Sequence, residues 1–209
     1  MNLSPTTYLL FILGAGLLPF VLVVLTSFVK MAVVLSVART AMGTPQLPPN
    51  SVITGLAIVL SMVVMAPVAG QVSERLRQRQ EVFRAADVSS MGTAIAEAAQ
   101  PLRRFLLQHA HPEQLQAVAE AIGTDTNTEP GWPVLVTAFV ISQLHEAFQI
   151  GFYIFLPFLV LDMLVASVLL SLGMHMLSPT TVSLPLKLLL FVFADGWTLL
   201  GTNLLGSYH

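Results

Sequence analysis

Along the chain, long apolar runs alternate with a single polar stretch. Four apolar blocks stand out, at 8–29, 52–69, 147–170 and 184–205, against the roughly 20 residues a helix needs to cross hydrocarbon. None is a clean span. The first runs on past Lys30 to Arg39, the second is marginal in length, the third holds Pro157 and Asp162, and the fourth is interrupted by Lys187, Asp195 and Gly196. Between the first two lies "GTPQLPPN", whose prolines and glycine forbid helix continuation, with Asn50 or Ser51 placed to cap the next helix. This reads as the turn of a helical hairpin, and Pro67 is expected to end or kink its second arm.

From 71 to 130 the pattern changes: six of the nine basic residues and eight of the eleven acidic ones fall here. Apolar residues still recur at helical spacing, as Val72, Leu76 and Phe83, then Ile95, Leu102 and Leu106, then Leu115, Val118 and Ile122. The expectation is a solvated lobe of short amphipathic helices without chemistry of its own. Its breaks are expected near 89–92, at Pro112 and in "GTDTNTEPGWP". The reading is all-α, in three parts: a hydrophobic hairpin at 1–70, a polar lobe at 71–131 and a second hydrophobic hairpin at 132–209.

Composition turns these blocks into a membrane protein. Of 209 residues, 55% are hydrophobic and 10% charged, with a mean hydropathy of +0.79, whereas about a quarter of an average soluble domain is charged. The net charge of −2 comes with no long basic run, which argues against a nucleic-acid surface. Cysteine is absent, so disulfides, thiolate metal sites and cysteine nucleophiles are excluded. No Lys or Arg precedes the first apolar run, so it is expected to be a retained segment rather than a secretory signal. Counted by the positive-inside rule, Arg75, Arg77, Arg79, Arg84, Arg103 and Arg104 lean the lobe toward the cytoplasm, although the rule weakens for loops this long. No zinc-protease, serine-hydrolase or phosphate-loop motif occurs, so neither enzyme activity, a metal nor a cofactor is expected. His145 beside Glu146 reads as a helix-surface or interhelical pair rather than a catalytic dyad.

Six charges sit in or at the edges of the apolar blocks: Lys30, Arg39, Glu146, Asp162, Lys187 and Asp195. A charge facing lipid costs about 2.5–3.5 kcal/mol on the insertion scale. Three cations and three anions are therefore expected to be buried and to pair between helices or between subunits, which calls for an obligate complex. Phe148, Phe152 and Phe155 read first as packing residues and second as the lining of a conduit. The stretch "SLGMHMLSP" sets Gly173, Met174, His175 and Met176 before Pro179. Three readings stand open from the residues: soft ligands for copper, flexible apolar side chains that close an opening, and a plain interhelical turn.

Residues 27–68, beginning "SFVKMAVVLSVARTAMGTPQLPPN", and 139–200, with "FLPFLVLDML" and "LPLKLLLFVFADGW", closely resemble the SctR family of type III secretion systems, whose flagellar counterpart is FliP. The resemblance implies a multi-pass, non-enzymatic subunit of an export gate in the bacterial inner membrane. Such a subunit forms a homo-pentamer with SctS-like and SctT-like subunits, among SctU-like and SctV-like components and lipid, and conducts unfolded secreted proteins. It also implies a periplasmic lobe, against the charge count. By the same resemblance, Lys187 matches a lysine that pairs with acids of a neighbouring subunit, and Asp162 is a candidate for such pairing. Gln143 stands where relatives usually carry Glu, and Glu146, three residues on, is expected to take its place. The loop at 173–176 matches a methionine-rich gasket thought to close the pore, with His175 where relatives commonly have a third methionine. Because imidazoles gain charge in mildly acidic surroundings, a gate that leaks more as pH falls is expected. A Met/His copper or ion transporter and a non-conducting membrane scaffold remain the alternatives.

Overall fold

The computed structural model describes residues 12, 16, 19–21, 23–44, 46–79, 88–124 and 129–208. All regular structure among them is helical: α1 Phe28–Ala41, α2 Asn50–Gln78, α3 Val88–Ala98, α4 Gln100–His109, α5 Pro112–Ala121, α6 Trp132–Ser171, α7 Pro179–Phe193 and α8 Gly196–Gly206. Two helices, α2 and α6, are long and apolar enough to cross a membrane, and the α7–α8 pair, bent by 58°, makes a third if it counts as one span. Only 11% of the most apolar window of α6 is buried within the chain, so most of its greasy surface is left for lipid or for other chains.

Residue contacts divide the chain into two compact units, one of 30–64 with 143–209, the other of 1–29 with 65–142. In the first, α1 buries Met31, Val34, Leu35, Ala38 and Ala41, a stripe at helical spacing. Ala38, Ala41 and Met42 join Phe158 of α6, Phe191 of α7 and Leu200 of α8 in one cluster. Glycine permits the closest approach: a Cβ on Gly151 would lie 2.8 Å from Val37 Cγ1 and 3.2 Å from its Cβ. Between α7 and α8, Asp195 takes a left-handed backbone at φ 49°, a region where Asp is tolerated better than most residues. Gly196 follows because the Phe191 ring occupies the space its side chain would need, and that ring meets Trp197 edge-on at 5.1 Å.

In the second unit, Phe105 of α4 packs on Phe139 of α6 at 5.9 Å and on His109 at 4.6 Å. The chain between α4 and α5 is tied down by the His111 N–H, which donates to Ser142 Oγ at 2.8 Å. Polar ties dominate the rest: Arg79 pairs with Glu97, Arg75 donates to the Glu97 carbonyl at 3.0 Å, and Arg103 reaches Glu129 at 3.1 Å and the Pro130 carbonyl at 2.9 Å.

Within the first apolar block, already read as no clean span, the chain leaves helical geometry at 25–27, where the Thr26 hydroxyl accepts the Phe28 N–H at 3.3 Å and competes with the helical ladder. Two local expectations are corrected. Pro67 does not end α2, which continues to Gln78; a proline removes one N–H, a cost that an otherwise regular helix absorbs. The break expected at 89–92 is instead the beginning of α3, where serine is favoured and one glycine costs only about 1 kcal/mol. The breaks at Pro112 and Gly123 stand, and Gly123 caps α5 in a left-handed conformation at φ 70°.

Gly151→Ala should destabilise the protein by about 1–3 kcal/mol through overpacking on Val37. Gly201→Ala, in α8 with nothing within 4 Å, should stabilise it by about 0.5–1 kcal/mol. Thermal unfolding in detergent would resolve the opposite signs.

Candidate functional site

The methionine loop begins where α6 is capped by Gly173. The Met174 N–H donates to the Leu169 carbonyl at 2.9 Å and the Gly173 N–H to the Leu170 carbonyl at 3.1 Å. With Gly173 at φ 72°, this is the Schellman closure that ends a helix without leaving its last carbonyls open. Beyond it, Met174, His175, Met176 and Leu177 are all exposed, Met176 completely. The loop closes on Pro179, whose fixed φ suits the first turn of α7 and whose missing N–H has no partner to lose there.

Two charge clusters tie α6 to the helices around it. On α6, Asp162 accepts the Ser183 hydroxyl at 2.5 Å through Oδ1 and the Lys187 ammonium at 2.6 Å through Oδ2. Ser183 and Lys187 stand one turn apart on α7, so both reach the same carboxylate. The resemblance implied a neighbouring subunit's acid for Lys187; the acid it meets here is on its own chain. The second cluster joins α1, α6 and the chain's end. Lys30, almost wholly buried, donates to Glu146 at 2.5 Å, and its ammonium stands 4.5 Å from the centre of the Tyr208 ring. The Tyr208 hydroxyl donates to Gln143 Oε1. Burial, and then the Glu146 carboxylate, push the Tyr208 phenol far above its ordinary range, which keeps it a donor.

Arg39 and Asp195 are placed differently. Arg39 is half-buried, its Nη1 donating to Asn50 Oδ1 at 2.6 Å and to the Pro48 carbonyl at 3.2 Å. Asp195 is exposed rather than buried, because it forms the left-handed elbow itself and turns its carboxylate to the Thr198 hydroxyl at 3.1 Å. His145 is exposed on α6. Phe148, Phe152 and Phe155 are exposed as well, so within this chain they are not core. Sequence reasoning missed Ser183 and Tyr208. Ser183 carried a usable signal, its spacing of one turn before Lys187, whereas nothing in the sequence ties Tyr208 to α1.

Residues 9–204 match the FliP family. The chain is 42% identical over 205 residues to the "Yop proteins translocation protein R" of Yersinia pestis, covering 92% of this chain and 91% of that protein. It is 38% identical over 212 residues to the "Harpin secretion protein HrpW" of Pseudomonas syringae pv. syringae, covering 95% and 98%. With the "Flagellar biosynthetic protein FliP" of Buchnera aphidicola subsp. Baizongia pistaciae it shares 40% identity over 208 residues, 98% of this chain but 57% of that longer protein. A match of this extent leaves one conclusion: the chain belongs to the FliP family.

Proposed function

We propose that this chain is a membrane-embedded component of a bacterial protein-export apparatus, and that identical copies, five by the family resemblance, ring a conduit which the 172–178 loop closes. The observation that carries the reading is the loop itself. A helix end sealed by Gly173 presents Met176 fully outward, with Met174 and Leu177 beside it a little under half exposed. Unbranched thioethers are apolar and flexible, so several such loops meeting on an axis repack around whatever passes and exclude water when nothing does. The names of the relatives, a translocation protein, a secretion protein and a flagellar biosynthetic protein, point to the same process. The setting is the inner membrane with the polar lobe on the periplasmic side. The partners are further small membrane subunits of the SctS, SctT, SctU and SctV kinds, and the cargo is unfolded protein. The chain supplies a passage rather than a reaction.

In this reading the charge clusters act within each subunit. Asp162, Ser183 and Lys187 clamp α7 to α6 and fix both ends of the loop, while Lys30, Glu146, Gln143 and Tyr208 hold α1 and the C-terminus against α6.

Deleting 174–176 should leave the complex assembled but raise its resting ion conductance in planar bilayers several-fold; an unchanged leak with unchanged secretion would sink the gasket. Lys187→Met alone should lower stability by about 2–3 kcal/mol, less than the full penalty for a buried pair because a third of Asp162 is exposed. Adding Asp162→Leu should recover most of that loss, since the stranded charge is gone. Unfolding curves of the single and double variants provide the comparison.

A further inference from the structure

The ion pairs inside the chain leave a remainder. Lys30 has Glu146 and Lys187 has Asp162, but Arg39 and Asp195 meet no opposite charge among the described residues. Arg39 makes do with two neutral oxygens, and its Nε is buried without an acceptor. Asp195 holds a neutral hydroxyl. Both charges sit in an apolar setting where isolation is costly.

The surroundings of the two residues are complementary. Asp195 follows Val192 and Phe193, which are 74% and 81% exposed and form a greasy knob beside the elbow. Next to Arg39, Thr40 stands at the end of a shallow groove of about 400 Å³ that Ala32, Val33, Ser36 and Val37 of α1 line opposite Phe148 and Phe155 of α6. The Arg39 end of the groove and the elbow stand at about one level, because Ala38 and Ala41 beside Arg39 share a core cluster with Phe158, Phe191 and Leu200, the last two on either side of Asp195. They also belong to opposite sides. At about 100° per residue, Phe148 and Phe155 fall on one face of α6, between about 100° and 180° around it from Ile150, Ile154 and Pro157, which line the cleft shared with α7 and α8. Features at one level on opposite sides suit a head-to-tail contact between identical copies, the kind that closes into a ring.

We propose that the Asp195 elbow of one copy seats in the α1–α6 groove of the next, with Phe193 filling the groove and the Asp195 carboxylate neutralising Arg39. This inference rests on the ring reading above and names the residues at its joint.

The absence of cysteine makes the test direct. Two differently tagged copies, one carrying Arg39→Cys and the other Asp195→Cys, are expressed together with the remaining export subunits and treated in membranes with a short bismaleimide. The expected product is a cross-linked pair bearing both tags. A complex of full mass without that product, or cross-links confined within a chain carrying both substitutions, overturns the joint and leaves the ring standing. An unsubstituted chain that never assembles with the same subunits, judged by the mass of the purified material, overturns both. Arg39→Gln and Asp195→Asn, the latter compatible with the left-handed turn, should each lower recovery of the complex on the order of tenfold. Undiminished recovery of both variants overturns the ion pair.

Discussion

A lysine ammonium with almost none of its surface in contact with water governs the apolar half of this protein. Lys30 exists there only because Glu146 stands at 2.5 Å and the face of Tyr208 covers the other side, since a lone charge in such surroundings would neutralise or unfold its host. The same constraint repeats at Lys187, where one carboxylate takes both an ammonium and a hydroxyl. The first cluster joins helices distant in sequence and the second two consecutive ones, so satisfying the charge also settles which helices are neighbours. Hydrophobic burial fills the space between them, but greasy surfaces slide, and the charges set the register.

That constraint also explains what could be read in advance. Lys30, Glu146, Asp162 and Lys187, four of the six charges in the apolar blocks, marked places where helices meet, and the prolines of "GTPQLPPN" marked a turn, because each signal is local and strong. Partner choice was not legible. Lys187 has three acids in the apolar blocks to choose from, and only the packing of α7 on α6 selects Asp162. Tyr208 lies 178 positions from Lys30 by its number, beyond the reach of any periodicity. Pro67 signalled an end or a kink, and the helix does not end there because a single missing N–H weighs less than the many residues around it that favour helix. The break at 25–27 was hidden inside an apolar run, where a threonine hydroxyl rather than a glycine or proline interrupts the ladder. Asp195 was misjudged for a related reason: its charge suggested burial, while its tolerance of left-handed geometry decided its place.

The clamp, the loop and the elbow divide the work. The Asp162 clamp gives the loop two anchored ends, the loop carries soft side chains between them, and the elbow sets Asp195 and Phe193 outward from the packed helices. Rigid elements hold a flexible one, which is the arrangement a closure needs if it is to yield to cargo and return.

The cap at Gly173 bears on how such a closure could work dry. Three carbonyls at the end of α6 are taken up by the chain itself: Val168 by the Leu172 N–H and the Ser171 hydroxyl, Leu169 by the Met174 N–H and Leu170 by the Gly173 N–H. A helix end finished in water usually leans on solvent for those bonds. These three oxygens have partners within the chain, so in the proposed ring the tip of α6 would lose and regain hydration without stranding them.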